Sequence, residues 1–219
     1  MGQDEKVFDK MVRTWIADVS SLYEESTYER LYRAAPEFRR EKADRIRSKE
    51  HRAQSIGAWT LYEKARLMCK ASEEAIFNLS HSGHFVLCSI EDNETIPVKV
   101  GCDIEEIKKL HTKLIKRFFL TSEQHYILEK QTEEERTDAF YRFWVLKESF
   151  MKATRYGMRL GLDTFEIQCD PCEAPRLIMQ PDMIKEQYYF KEYKAGIPYK
   201  IAVCSTNSFF AEEIQKVDL

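Results

Sequence analysis

The chain has 219 residues, 43% of them hydrophobic and 32% charged, with 34 Lys plus Arg against 37 Asp plus Glu for a net charge of -3. That length buries a sizeable core, as one large domain or as two lobes of roughly 100 residues. The composition excludes a disordered chain, a disulfide miniprotein and a nucleic-acid binder acting through bulk positive charge. No run of about 18 apolar residues could span a bilayer. The charged opening MGQDEKVFDK lacks the apolar stretch of a secretory signal, so a cytoplasmic address is expected. The six cysteines read as small buried hydrophobes of a reducing compartment. Cys169-Asp-Pro-Cys172, a lone CxxC without a second pair, reads the same way.

Residues 1–10 form a charged leader, and Met11 to Ser20 reads as a first strand. From Pro36 to Lys70 the chain turns basic and helix-forming, with Ile46, Ala53, Ile56, Trp59, Leu61 and Ala65 as an apolar stripe over one or two helices. Phe77 to Gly83 is turn chemistry, and Phe85 to Ile90 is a short buried strand. A polar turn, Glu91-Asp-Asn-Glu94, leads to the strand Val98 to Glu105. Helices follow over about 107–155, with capping boxes at Thr121-Ser-Glu-Gln124 and Thr132-Glu-Glu-Glu135, the second launching a long helix that ends before Gly157. Phe165 to Cys169, Tyr188 to Tyr193 and Lys200 to Cys204 read as strands. Helices followed by strands thus occur twice, which predicts an α+β fold of two similar lobes, 11–105 and 106–219.

In Val98 to Glu105, period-two alternation puts Val98, Val100, Cys102 and Ile104 on one face, and Lys99, Gly101, Asp103 and Glu105 on the other. Two carboxylates then point the same way, about 7 Å apart. They could hold Mg²⁺, which takes one or two carboxylates plus substrate phosphates, or could be the exposed edge of an acidic strand. Gly101, on the same face, would let a ligand approach the backbone. In the later helix Trp144, Glu148 and Lys152 lie at i, i+4, i+8 on one stripe, with Lys147 beside it. Either Glu148 and Lys152 are a solvated helix pair, or Glu148 serves as ligand or base while Lys152 meets a phosphate.

Taken in order, Asn78-Leu-Ser-His-Ser-Gly83, Gly101-Cys-Asp-Ile-Glu105 and Trp144-Val-Leu-Lys-Glu-Ser-Phe-Met-Lys152 resemble the motifs of the 4'-phosphopantetheinyl transferases. The likeness is to the larger, two-lobed type that activates peptide and polyketide synthetases, and it covers about residues 11 to 205. It implies two pseudo-symmetric α+β lobes with the active site between them. It also implies a holo-carrier-protein synthase that moves phosphopantetheine from coenzyme A to a carrier serine. Mg²⁺, or Mn²⁺, would be held by Asp103, Glu105 and Glu148. By the same resemblance Glu148 takes the serine proton, Lys152 meets the departing phosphate, and Ser80 and His81 contact coenzyme A phosphates, His81 with a mildly raised pKa. Arg39 and Lys42, then Arg47 and Arg52, resemble the segment that grips the 3'-phosphate. The family's G-K-P-like loop has no counterpart in Met68 to Ile76, so other groups, Lys70 among them, are expected at the adenine end.

An acyl or peptidyl carrier protein is the implied partner, docking by family analogy on Lys113, Lys116, Arg117 and Phe118, with neither nucleic acid nor membrane involved. Two lobes in one chain remove the need for a dimer to complete the site, so a monomer is expected. A magnesium-dependent nucleotide hydrolase is the rival enzyme reading, without a P-loop to support it. A non-catalytic coenzyme A or carrier-binding module is the other, opposed by the presence together of Asp103, Glu105, Glu148 and Lys152.

Overall fold

The computed structural model describes residues 11–91, 98–170 and 172–219; the leader 1–10, most of the Glu91–Glu94 turn and Pro171 of the CxxC segment lie outside the described residues. The first half runs β1 (Arg13–Asp18), α1 (Glu25–Ala34), α2 (Glu37–Asp44), α3 (Lys49–Met68), β2 (Ile76–Ser82) and β3 (Phe85–Glu91). The second half runs β4 (Val100–Glu106), α4 (Lys113–Phe118), α5 (Thr121–Leu128), α6 (Glu133–Thr154), β5 (Glu166–Gln168), β6 (Arg176–Met179), β7 (Tyr189–Tyr193) and β8 (Tyr199–Ser205). A last short strand, β9 (Gln215–Lys216), closes the chain.

Each half therefore opens with a strand, continues through three helices and returns as antiparallel strands. In the first sheet β3 lies between β2 and β1; in the second β8 lies between β7 and β4, so the last strand of each half pairs with the first. β9 adds to the first sheet, parallel to β1, with Trp15 opposite Gln215. β4, next in sequence to the first half, pairs with β8, Asp103 standing opposite Ala202. β5 and β6 form a separate two-stranded ribbon.

Strand alternation explains the layering. Trp15 and Ala17 of β1 pack with Val86, Cys88 and Ile90 of β3 against Ile56, Leu61 and Ala65 of α3. Ile16 and Leu87 face the other way, onto Val100, Cys102, Ile104, Ile201 and Val203 of the second sheet. The opposite face of that sheet, with Ala202 and Cys204, packs on Phe143, Phe150 and Ala153 of α6. The order is helix, sheet, sheet, helix, and the β4 face bearing Gly101, Asp103 and Glu105 is turned toward α6.

Several sequence expectations change. Phe77 to Ser82 is the strand β2, not a turn, for a reason that belongs to the site below. Residues 107–112 lie outside the helices, ahead of α4, and α1 is an additional helix beyond those expected. The first capping box shifts by one residue: Glu123 Oε2, not Gln124, accepts the Leu120 N–H at 3.0 Å. The second forms as expected, Thr132 Oγ1 accepting from Glu135 N at 3.1 Å and Glu135 Oε2 accepting from Thr132 N at 3.0 Å. α6 ends at Thr154, where Arg155 turns left-handed at φ 63° ahead of Gly157.

Candidate active site

Gly101 sets the site by what it lacks. A Cβ there would sit 2.1 Å from the Ser149 carbonyl oxygen and 2.3 Å from the Ala153 nitrogen, both in the α6 backbone. The helix itself, not a ligand, uses the space expected at this glycine. That close approach delivers Lys152 to the acidic strand. Its Nζ donates to Asp103 Oδ1 at 2.6 Å, to Ser80 Oγ at 2.8 Å and to the Cys102 carbonyl at 3.2 Å. Ser80 in turn donates to Asp103 Oδ1 at 2.8 Å. The three motifs, on β2, β4 and α6, meet at this point.

Glu105 stands two residues along β4. Its Oε2 accepts from Ser82 Oγ at 2.8 Å, and the Trp144 indole lies near enough to favour its charged form. Burial first, and then the Asp103 charge, push the Glu105 carboxyl above its ordinary range, with Ser82, Lys152 and Trp144 pulling the other way. Glu148 is raised by the same two causes, burial and Asp103, against the pull of Lys152. Burial draws the Lys152 ammonium down, but Asp103 and its neighbours outweigh it and leave Lys152 above the usual lysine value. The site is a nest of acids with one firmly charged cation.

Three observations bear on a metal. Asp103 Oδ2 is buried and has no hydrogen-bond partner. Glu105 and Glu148 both carry the electrostatic cost of Asp103, which an added cation would relieve. Among the described residues, however, no three His, Cys, Asp or Glu side chains gather as a ready-made cage. This donor set fits a hard cation that keeps waters and arrives with phosphate oxygens, the habit of Mg²⁺, and does not fit a closed structural site.

The remaining candidates spread outward. His81 is lowered, first by desolvation and then by Lys152, His51 and Lys42, in the protein alone, whereas the raised pKa expected of it is that of a ring beside phosphates. That shift brings His51, absent from the sequence reading, into the neighbourhood of His81 and Lys42. Ser55, one helical turn beyond His51 on α3, has a buried hydroxyl without a hydrogen-bond partner. Arg39 lies over the Trp59 ring, 4.2 Å from its centroid, and burial lowers its guanidinium. Arg52 faces Tyr28 and lines a cavity of about 390 Å³ with Tyr23, Lys49 and Glu50. Arg47 lies in the exposed link between α2 and α3. The structure thus gathers Ser80, Asp103, Glu105, Glu148 and Lys152, leaves His81 within electrostatic reach of Lys152 and of Lys42, and disperses the other three basic residues.

Lys113, Lys116 and Arg117 are exposed on α4, whose Phe118 packs edge-on to Trp144 with ring centroids 5.1 Å apart. Lys147 points away from the acids. It is fully buried, 2.8 Å from Glu123 Oε1, and also donates to the carbonyls of Leu162 and Phe165 at 2.7 and 2.8 Å. A cleft of about 930 Å³ off the first half of α6, lined by Lys108, Tyr126, Lys130, Glu134, Asp138 and Arg142, contains none of Asp103, Glu105 and Glu148. No helix among the described residues is long and apolar enough to cross a membrane.

Residues 99–204 match the 4'-phosphopantetheinyl transferase superfamily. The 4'-phosphopantetheinyl transferase Sfp of Bacillus subtilis (strain 168) is 36% identical over 144 residues, 66% of this chain and 61% of that protein. The 4'-phosphopantetheinyl transferase ffp of Bacillus subtilis is 33% identical over 143 residues, 65% of this chain and 60% of that protein. The match thus spans about three fifths of the length of these curated relatives. Among solved structures, holo-acyl-carrier-protein synthase of Thermotoga maritima aligns with TM-score 0.42 and 20% identity over 49% of this chain and 61% of that one.

Proposed function

We propose, from the match of residues 99–204 to the 4'-phosphopantetheinyl transferase superfamily and the likeness to curated relatives of that name, that this chain transfers the 4'-phosphopantetheine group of coenzyme A to a serine of an apo acyl or peptidyl carrier protein. The observation that supports this most is the convergence of the three motifs on one buried knot, Ser80, Asp103 and Lys152, beside two acids of raised pKa. In the reaction the serine oxygen bonds to the phosphorus nearest pantetheine. The bond from that phosphorus to the bridging pyrophosphate oxygen breaks, and adenosine 3',5'-bisphosphate departs.

Glu148 would accept the serine proton, as a positioned carboxylate general base. Lys152, kept charged by Asp103, would face the negative charge growing on the departing phosphate. Mg²⁺, or Mn²⁺, would be held by Asp103, through its partnerless Oδ2, with Glu105 and Glu148. When bound, it supplies charge to polarise and orient the pyrophosphate oxygens. His81, Lys42 and Arg39 are proposed for the coenzyme A phosphates, with His51 and Ser55 added and with Arg47 and Arg52 as outlying contributors. Ser80, its single proton given to Asp103, would act on phosphate through Lys152. The carrier would dock its acidic helix on Lys113, Lys116 and Arg117, with Phe118 leading to Trp144 and the site. A monomeric cytoplasmic enzyme completes the reading.

Glu148→Gln tests the assignment of the base. Carrier modification should fall by at least about 100-fold while far-ultraviolet circular dichroism and the melting temperature stay put. Turnover near that of the unchanged protein would remove Glu148 from the mechanism.

A further inference from the structure

β2 and β4 run side by side without main-chain hydrogen bonds between them; their contact is made by side chains. Asn78 Oδ1 accepts the Cys102 N–H at 3.0 Å, Ser80 Oγ the Ile104 N–H at 3.4 Å, and Ser82 Oγ the Glu106 N–H at 3.1 Å. Both strands advance by two residues at each rung, so the strands are parallel and in fixed register, and three polar side chains stand where carbonyls of a neighbouring strand would. The two serines do more than accept. A hydroxyl has one proton to give; Ser80 gives its own to Asp103 Oδ1 and Ser82 to Glu105 Oε2, each at 2.8 Å. Each serine rung therefore fixes a backbone N–H of β4 and a carboxylate on the preceding residue.

The far end of the ladder is clamped. Gly83 turns left-handed at φ 51°, and a Cβ there would lie 2.2 Å from the Tyr199 hydroxyl and 2.8 Å from Glu106 Oε2. Its carbonyl accepts from Gln54 Nε2 at 2.7 Å and from Tyr23 Oη at 3.3 Å. With the turn held from α3 and from the segment before α1, Ser82 cannot drift along β4. Glu105 is thereby held by a group from the first sheet, although it sits on the second.

We infer that Asn78, Ser80 and Ser82 form a side-chain ladder joining the two sheets, and that Ser82 is a positioning residue for Glu105, presetting this carboxylate for a divalent cation. The second half of this statement rests on the metal role proposed above; the first does not. Hydrogen-bond partners that orient a metal ligand typically contribute about 10–100-fold in affinity, and a carboxylate already aimed loses less side-chain freedom on binding.

The test compares Ser82→Ala, Ser82→Thr and Asn78→Ala with the unchanged chain. Mn²⁺ binding is followed by electron paramagnetic resonance with coenzyme A present, melting temperature is recorded, and crystal structures give the Glu105 conformation. Ser82→Ala should weaken Mn²⁺ binding by about tenfold or more and leave Glu105 in a new or divided conformation. Ser82→Thr, which keeps the hydroxyl, should restore both. Asn78→Ala removes a rung without a carboxylate, so it should lower the melting temperature yet change Mn²⁺ affinity less than Ser82→Ala. If Glu105 stays in place in Ser82→Ala, or if all three variants lose Mn²⁺ affinity only in step with melting temperature, the positioning role is overturned. Absence of Mn²⁺ binding by the unchanged chain would instead contradict the proposed metal site, and the conformation of Glu105 in Ser82→Ala would then decide the ladder alone.

Discussion

Gly101 carries more of the site than any charged residue, because it decides how near α6 comes to β4. Gly101→Ala should destabilise the protein by about 1–3 kcal/mol, the usual cost of overpacking, since its new Cβ meets main chain that cannot rotate away. It should also abolish transfer by lifting Lys152 off Asp103. A denaturant midpoint equal to that of the unchanged chain would contradict the close approach. The facing of Asp103 and Glu105 was legible in the sequence because alternation in a strand depends only on parity. What fills the gap at Gly101 was not legible, since the atoms that fill it come from a helix far along the chain. Ser80 taught the same lesson. Its identity suggested a phosphate contact, whereas its burial at 5% exposure and its three partners tie it first to Asp103 and Lys152.

α6 is the element that both sheets' chemistry depends on, and its sequence announces its start. Thr132→Ala removes the cap that accepts Glu135 N and should cost about 1 kcal/mol. Glu135 is held below the ordinary carboxylate value of 4.5, first by the Thr132 backbone N–H and also by that of Gln131. A depressed folded-state pKa adds stability that is present above the unfolded-state value and disappears as pH falls through the lower folded value. Glu135→Gln should therefore flatten the acid limb of the stability curve below about pH 4.5; an unchanged slope in acid denaturation would contradict the cap. On α6 burial lowers Lys147, and on α5 it raises Glu123; their contact at 2.8 Å opposes both shifts, helped on Glu123 by the backbone N–H groups of Leu120 and Ile167. Lys147→Met should cost about 3–5 kcal/mol by stranding a buried carboxylate, and adding Glu123→Gln should recover part of that loss. Equal melting temperatures for Lys147→Met and the parent would sink this account. The sequence placed Lys147 beside the stripe of Trp144, Glu148 and Lys152, yet one residue is 100° of helix, enough to turn it into the core. β2 was misread for a related reason. Asn78, Ser80, Ser82 and Gly83 are turn formers locally, and only the neighbouring β4 edge converts their polarity into a ladder.

At the scale of the molecule, the twofold order of strand, three helices and returning strands was partly legible as helices followed by strands, twice. Pairing was not. That β4 joins β8, or that β9 returns to β1, depends on long-range contacts that periodicity cannot record. The arrangement puts Ser80 and Ser82 on one sheet and Asp103 and Glu105 on the other, so the proposed chemistry sits where the two sheets meet. Neither half alone presents both sides of it. The full chain should accordingly convert an apo carrier protein to its holo form. Mass spectrometry of apo carrier proteins incubated with this protein, coenzyme A and Mg²⁺ tests that claim directly. The account predicts a gain of one phosphopantetheine group on the carrier serine, lost when the divalent cation is chelated. No gain on any of several acyl and peptidyl carriers would contradict it.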